Sequence, residues 1–124
     1  MTIIRAVMTK ELIIVEPSTS VAAAVTVMGM RRVGAVLVVE KEQLEGIFTE
    51  RDLVRAMSHD IGASSQQVAQ WMTRNPITVG PETSVERALE IMLAGHFRHL
   101  PVMEGERLVG VVSIRDLTRA SLRE

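Results

Sequence analysis

Two copies of one short pattern hold the residues best suited to bind a ligand. Residues 46–52 read Gly-Ile-Phe-Thr-Glu-Arg-Asp, and residues 110–116 read Gly-Val-Val-Ser-Ile-Arg-Asp. Each copy predicts an apolar strand that ends at a hydroxyl residue, followed by a helix with Arg and Asp in its first turn. The simplest interpretation is a helix N-cap, because an acidic side chain is favourable near the positive end of the helix dipole.

The same geometry also suits a ribose phosphate. A helix N-terminus offers free N–H groups to a phosphate, and Arg51 or Arg115 adds a charged donor. The carboxylate of Asp52 or Asp116 can accept hydrogen bonds from both hydroxyls of a ribose, as an acid does in dinucleotide sites. Spacing alone does not separate this interpretation from simple helix capping.

The pattern occurs twice because the whole chain repeats itself. Residues 7–56 align with residues 71–120 without a gap, and roughly 20 of about 50 positions are identical. Each half has about 60 residues, a size at which an isolated core is marginal. We therefore predict two domains, residues 1–60 and 61–124, packed on each other with pseudo-twofold symmetry and forming two similar clefts.

The elements that must position the pattern have the same order in both halves. Apolar runs and helical spacing predict β-α-β-β-α twice, an α/β (α+β) fold, with the last helices starting near Thr49 and Ser113. Thr83-x-x-Glu86 predicts a capping box at the first helix of the second half. The inner faces of the last helices are predicted to carry these apolar residues: Leu53, Val54, Met57, Leu117 and Leu122.

Composition excludes several classes of function. The net charge is −1 and aromatic residues make up 2% of the chain, so neither a basic field nor a base-stacking platform for nucleic acid is present. The chain has no cysteine. His96-x-x-His99 lacks the further ligands that a zinc site needs, so no metal is predicted. No signal peptide or membrane span is recognised, and we expect a cytoplasmic protein.

Motifs of catalysis are also missing from the sequence. It has no phosphate-loop motif, no Gly-x-Ser-x-Gly elbow, no Gly-x-Gly-x-x-Gly and no His-Glu-x-x-His. We therefore predict that the protein is not an enzyme.

In this order and in two copies, the motifs resemble tandem cystathionine-β-synthase (CBS) domains, the pair called a Bateman module. The resemblance covers essentially the whole chain and rests on Met-Thr at 8–9 and 72–73, Asn-Pro-Ile-Thr-Val at 75–79, Arg-His-Leu-Pro-Val at 98–102 and the two endings described above. It implies a stand-alone regulatory module, commonly a homodimer, that requires no cofactor. Such a module binds AMP, ADP or ATP as a regulatory ligand and acts on a partner protein. S-adenosylmethionine or NAD is an alternative ligand, and a scaffold that binds no nucleotide is an alternative function.

The resemblance also implies two composite clefts. The first cleft takes Thr49, Arg51, Asp52, Met72, Ile77, Phe97, Arg98 and Val111. The second takes Met8, Ile13, Val33, Gly34, Ile47, Ser113, Arg115 and Asp116. Arg98 and His99 match a basic pair that reaches the phosphates in some members of the family. Because Gly34 and Ala35 stand at the equivalent positions, we expect the two clefts to differ in affinity.

Overall fold

A computed structural model describes residues 1–123, which form two compact units. The continuous unit is Ile13–Pro76, and the discontinuous unit joins Met1–Leu12 to Ile77–Glu124. Within the described residues, no helix combines the length and the apolar character needed to cross a membrane. The predicted domains, residues 1–60 and 61–124, divide the sequence into its two repeats, whereas these units divide it by packing. The boundary between residues 60 and 61 therefore stays a prediction.

The continuous unit is a four-stranded sheet with two helices. Its elements are β1 (Ile14–Val15), α1 (Val21–Arg31), β2 (Ala35–Glu40), β3 (Gln43–Thr49), α2 (Glu50–His59), two 3-10 turns (Ile61–Ser65 and Val68–Gln70) and β4 (Thr73–Arg74). The strand order is β1-β2-β3-β4, with β1 parallel to β2 and the other pairs antiparallel. Its core includes Val21, Val36, Val38, Phe48 and Val68.

The discontinuous unit repeats this plan. Its elements are a 3-10 turn (Ile4–Ala6), α3 (Val85–Gly95), β5 (His99–Glu104), β6 (Arg107–Ser113) and α4 (Ile114–Leu122). Single bridges replace the outer strands: Val79 pairs with Val102 in parallel, and Thr9 pairs with Val111 antiparallel. The prediction of a mixed α/β fold built from two repeats is confirmed.

Each unit is completed by a segment at the start of the other repeat. In the discontinuous unit, the amide of Ile4 donates to the carbonyl of Thr83, and Thr2 accepts from the amide of Val85. The equivalent segment, residues 66–74, packs in the same way in the continuous unit, where Val68 donates to Thr19. Ile4 and Val68 are both fully buried, so these segments belong to the two cores.

Two local predictions are wrong in whole or in part. The N-cap of α3 is Ser84, whose side chain accepts from the amide of Arg87, and Thr83 forms no capping box. The predicted inner faces of the last helices are wrong for Val54, Met57 and Leu122, which are exposed. They are right for Leu117, which is fully buried, and for Leu53, which packs against the core. In α2 the capping box holds Asp52, the third residue of the helix, against Thr49 at the end of β3, so this polar side chain takes a buried position.

Candidate functional site

The start of α2 is a complete capping box. The amide of Thr49 donates to Asp52 Oδ2 at 2.9 Å, and the amide of Asp52 donates to Thr49 Oγ1 at 3.2 Å. The Thr49 hydroxyl also lies 3.1 Å from Asp52 Oδ2. The capping interpretation of this pattern is therefore confirmed. The cap uses Asp52 Oδ2, so the other carboxylate oxygen, Oδ1, is available for a further partner.

The second oxygen of Asp52 is occupied within the same unit. The hydroxyl of Thr73 donates to Asp52 Oδ1 at 3.1 Å, and the guanidinium of Arg55 lies 3.5 Å from the same atom. Arg55 is itself held, because it donates to the backbone carbonyl of Trp71 and lies 5.6 Å above the indole ring. Asp52 is 5% exposed, so it is a buried carboxylate whose two oxygens both have partners.

The start of α4 has the same box but a freer carboxylate. The amide of Ser113 donates to Asp116 Oδ2 at 3.1 Å, and the amide of Asp116 donates to Ser113 Oγ at 3.1 Å. Among residues 1–123, nothing donates a hydrogen bond to Asp116 Oδ1. Thr9 stands where Thr73 stands in the other repeat, but among residues 1–123 its hydroxyl donates no hydrogen bond to Asp116. The half-buried Asp116 therefore keeps an acceptor for a ligand.

The backbone places the segments before β2 and β5 beside these helix starts. The carbonyl of Gly34 accepts from the amide of Glu50 at 3.1 Å, and that of Arg98 accepts from the amide of Ile114 at 2.8 Å. The backbone of Arg98 therefore lies beside the first turn of α4, in the same unit as Asp116.

The predicted site residues divide between the two units. The continuous unit contains Ile13, Val33, Gly34, Ile47, Thr49, Arg51, Asp52 and Met72. The discontinuous unit contains Met8, Ile77, Phe97, Arg98, His99, Val111, Ser113, Arg115 and Asp116. Within the units, Met72 packs against Gly46 of β3, and Met8 packs against Gly110 of β6. Each predicted cleft takes residues from both units, and the composite clefts stay a prediction.

The sequence analysis named Arg98 and Arg115 as site residues, but it missed the pocket that they line together with other residues of α4. An open pocket of about 530 Å³ lies along the outer face of α4, lined by Arg98, Ile114, Arg115, Thr118, Arg119 and Leu122. Arg115 and Arg119 are one helical turn apart, a spacing that was available in the sequence as a signal. The contribution of Arg98 depends on the pairing of its backbone with α4.

Comparison with known proteins identifies the class. The sequence model of the CBS domain family matches residues 4–59 and 68–123, and the chain belongs to this family. A 17.7 kDa protein of Acidianus ambivalens is 39% identical over 117 residues, which cover 92% of this chain and 70% of that protein. CBSX3, a mitochondrial CBS domain-containing protein of Arabidopsis thaliana, is 40% identical over 107 residues, but the chain spans 52% of its length.

Solved structures show the same fold. The CBS-domain protein ATU1752 of Agrobacterium tumefaciens superposes with a TM-score of 0.92 at 34% identity, covering 97% of this chain and 99% of that one. CBSX2, solved in complex with AMP, superposes with a TM-score of 0.83 at 28% identity, covering 98% and 96%. The resemblance to tandem CBS domains drawn from the sequence is confirmed.

Proposed function

We propose that this protein is a regulatory module that binds an adenine nucleotide (AMP, ADP or ATP) and transmits ligand occupancy to a partner protein. The observation that carries the proposal is the start of α4, where a capping box leaves Asp116 Oδ1 open. A carboxylate with a spare acceptor can bind a ribose hydroxyl. The AMP complex of CBSX2, which has the same fold, supports an adenosine ligand.

The two helix starts are expected to differ in affinity. A ribose at Asp52 has to compete with the hydroxyl of Thr73 and the guanidinium of Arg55, which already contact that carboxylate. A ribose at Asp116 displaces no side-chain donor within the described residues. The Asp116 end is therefore the tighter site of the two in this proposal.

Ligand binding acts on the partner by a shift of populations. A nucleotide that binds one arrangement of the molecule more tightly raises the fraction of that arrangement, and the partner responds to the change. No catalytic step is required, and chromatography of a nucleotide incubated with the protein should recover it unchanged.

Isothermal titration with AMP, ADP, ATP, S-adenosylmethionine and NAD tests the proposal. Asp116→Asn is the informative variant, because its amide oxygen still accepts from the Ser113 amide while its NH2 group cannot accept from a ribose. We expect at least tenfold weaker nucleotide binding, as for the loss of a hydrogen bond to a charged group. Glu86→Gln removes one charge from the exposed first turn of α3 and should leave affinity unchanged.

The alternative is a scaffold that keeps the fold and binds no nucleotide. In the continuous unit this scaffold hypothesis is favoured, because both carboxylate oxygens of Asp52 already accept hydrogen bonds from residues of the same unit. The scaffold hypothesis replaces the nucleotide proposal if none of the five ligands binds below millimolar concentration and Asp116→Asn changes only the stability of the protein.

We also propose that the protein is a homodimer. Large apolar side chains are exposed on all four helices, namely Met30 (77%), Val54 (68%), Leu93 (65%) and Leu122 (82%). Covering such side chains in a symmetric interface releases ordered water and stabilises association. Light scattering at micromolar concentration should give twice the chain mass, and a monomer there contradicts the proposal.

A further inference from the structure

Residues 1–12, which we call the 1–12 segment, are held in the discontinuous unit by packing. The rest of that unit is residues 77–124, and between residues 12 and 77 the chain forms the whole continuous unit. By contrast, residues 66–74 lie inside the uninterrupted stretch Ile13–Pro76 that forms the continuous unit. Of these two segments, the 1–12 segment is therefore the one that can leave its core by movement at a single hinge.

The 1–12 segment is recognised through its backbone and through a buried side chain. The amide of Ile4 donates to the carbonyl of Thr83 at 2.8 Å, and Ile4 is fully buried in the core of this unit. Thr9 and Val111 exchange two backbone hydrogen bonds of 2.9 and 3.0 Å. The residues that receive the segment all lie in 77–124, so every copy of the chain presents the same groove.

Arg5 adds charge complementarity to this groove. Its guanidinium contacts Glu82 Oε1 and Glu104 Oε2, each at 2.8 Å. The hydrogen bonds to Glu82 and then Glu104 raise the pKa of the Arg5 guanidinium above its usual value. The groove is therefore built for an arginine that directly follows a buried isoleucine.

The equivalent segment of the other repeat does not match this groove. Ala69 stands at the position of Arg5, and Ser18 stands at the position of Glu82. The backbone contacts are the same in both units, since Val68 donates to Thr19 as Ile4 donates to Thr83. The charged side chains therefore decide that the groove of the discontinuous unit selects the 1–12 segment over residues 66–74.

The hinge for this segment lies in residues 10–12. Lys10 and Glu11 are exposed, and residues 10–12 belong to no helix or strand. The next residue, Ile13, is already fixed in the continuous unit, where its carbonyl accepts from the amide of Leu37. A change of backbone direction in residues 10–12 therefore breaks no helix or strand.

We propose that the groove of the discontinuous unit also accepts the 1–12 segment of a second copy, so that two chains form a swapped dimer. All the contacts described above are then made between chains, and only the hinge differs. The segment of the same chain competes at an effective concentration of the order of 1 mM, so the swapped dimer forms as the protein approaches that concentration. The proposal depends neither on nucleotide binding nor on the exposed apolar helix faces.

Swapping makes the candidate site at Asp116 depend on the partner copy. Met8 packs against Gly110, and Thr9 pairs with Val111. Both contacts lie in β6, the strand that leads into the Asp116 capping box. In the swapped dimer, the second copy supplies the residues that flank this strand.

Cysteine trapping tests the swap in the full chain, which has no cysteine of its own. One chain carries Thr9→Cys, and another, with a tag of different mass, carries Val111→Cys. Opposed residues of such an antiparallel pair lie about 5.5 Å apart at Cα, within reach of a disulfide. After incubation at about 1 mM and oxidation, we expect a heterodimer linked between positions 9 and 111, identified by peptide mass mapping. Its yield should fall at least tenfold at about 10 μM, because association follows mass action.

The other repeat offers a matched control. Ile47 and Thr73 are opposed in the same register, so Ile47→Cys and Thr73→Cys in separate chains should give no such heterodimer. Each pair placed within one chain should form its disulfide, which shows that the geometry permits the link.

The rate of trapping separates a swap from chance contact between closed chains. Arg5→Gln in both chains should speed the linkage about fivefold, the effect of losing two exposed ion pairs. Arg87→Gln removes the same charge and the ion pair with Glu90 on α3, and it should leave the rate unchanged. Absence of the heterodimer at about 1 mM, an equal yield from the control pair, or no acceleration by Arg5→Gln overturns the proposal.

Discussion

Asp52 and Asp116 are equivalent in sequence but differ in their surroundings. Asp52 is held by Thr49, Thr73 and Arg55, whereas Asp116 contacts only Ser113 among the residues described. A buried carboxylate is stable only when its oxygens are paired, which explains why the more buried of the two has more donors. Asp52 therefore stabilises the continuous unit, whatever its role in ligand binding.

Replacing Thr73 by Val tests this structural role. The variant removes the hydroxyl that donates to Asp52 Oδ1 and should lower the free energy of unfolding by about 1–2 kcal/mol. Thr9→Val is the matched control, because Thr9 occupies the equivalent position without donating to Asp116, and it should have little effect. Urea denaturation followed by circular dichroism measures both, and equal effects of the two variants contradict the assignment.

The sequence predicted these capping boxes because all their members lie within four residues of each other. The bond from Thr73 to Asp52 could not be predicted in the same way, since it depends on the pairing of β4 with β3. The capping box expected at Thr83 fails for a related reason, because Ser84 beside it is an equally good N-cap residue and the chain uses it.

Strands β3 and β6 pack closely against methionines from the segments that complete the two cores, residues 66–74 and 1–12, which we call the exchanged segments. A Cβ atom on Gly46 would lie 2.7 Å from Met72 Sδ and 2.7 Å from the carbonyl oxygen of Thr73. Gly110 has the same relation to Met8, with its Cβ 2.7 Å from the sulfur. A methionine side chain can move aside, but a paired backbone carbonyl cannot, so glycine is needed where this carbonyl approaches.

Gly46→Ala is expected to destabilise the protein by about 1–3 kcal/mol through overpacking. Gly29→Ala provides the opposite control, because a Cβ there has no neighbour within 4 Å and alanine favours the helix by about 0.5–1 kcal/mol. Thermal melting of both variants should shift the midpoint down for the first and up for the second. A neutral Gly46→Ala variant contradicts the close approach.

The two β-hairpins use different turn residues. Lys41 and Glu42 have φ values of 51° and 64°, the positive φ pair of a type I′ turn, whereas the second hairpin places Gly105 at φ 63°. Asn-Gly suits a type I′ turn better than Lys-Glu, because both residues adopt positive φ readily.

The double variant Lys41→Asn/Glu42→Gly should therefore raise the free energy of unfolding by about 1 kcal/mol. Gly105→Lys, the converse change in the second hairpin, should lower it by a similar amount. Chemical denaturation of each variant measures the change, and a destabilising effect of the Asn-Gly turn argues against the type I′ geometry.

Element types were predictable because strands and helices differ in their apolar periodicity. The inner faces of α2 and α4 were predictable only in part, since Leu117 is fully buried whereas Val54 and Leu122 match a helical apolar stripe yet are exposed. The exposed part of the stripe agrees with the proposed dimer, and periodicity does not distinguish a core from an interface.

At the scale of the whole molecule, the important feature is that each core is completed by a segment from the start of the other repeat. Ile4 is fully buried in the discontinuous unit, and Val68 is fully buried in the continuous unit. The gapless repeat showed that Met8 and Met72 occupy equivalent positions at the start of the two repeats. Which core each segment joins could not be read from the sequence, since the choice depends on long-range packing.

Ile4→Ala should cost about 2–5 kcal/mol, the range for truncating a buried isoleucine. Its effect should be concentrated in the discontinuous unit, so amide hydrogen exchange should accelerate in β5 and β6 more than in β2 and β3. Val68→Ala should show the reverse pattern. Uniform acceleration throughout the chain in both variants contradicts the assignment of each segment to its core.

The exchanged segments determine where the chain can be cut and rejoined. A fragment of residues 13–76 retains every residue of the continuous unit, whereas a fragment ending between the repeats, near residue 64, loses the segment that contains Val68. Conversely, a permuted chain that starts at Ile77 and joins residue 124 to residue 1 through a flexible linker places the discontinuous unit in one uninterrupted stretch. The natural order of the polypeptide thus interleaves two units that a permuted gene would encode one after the other.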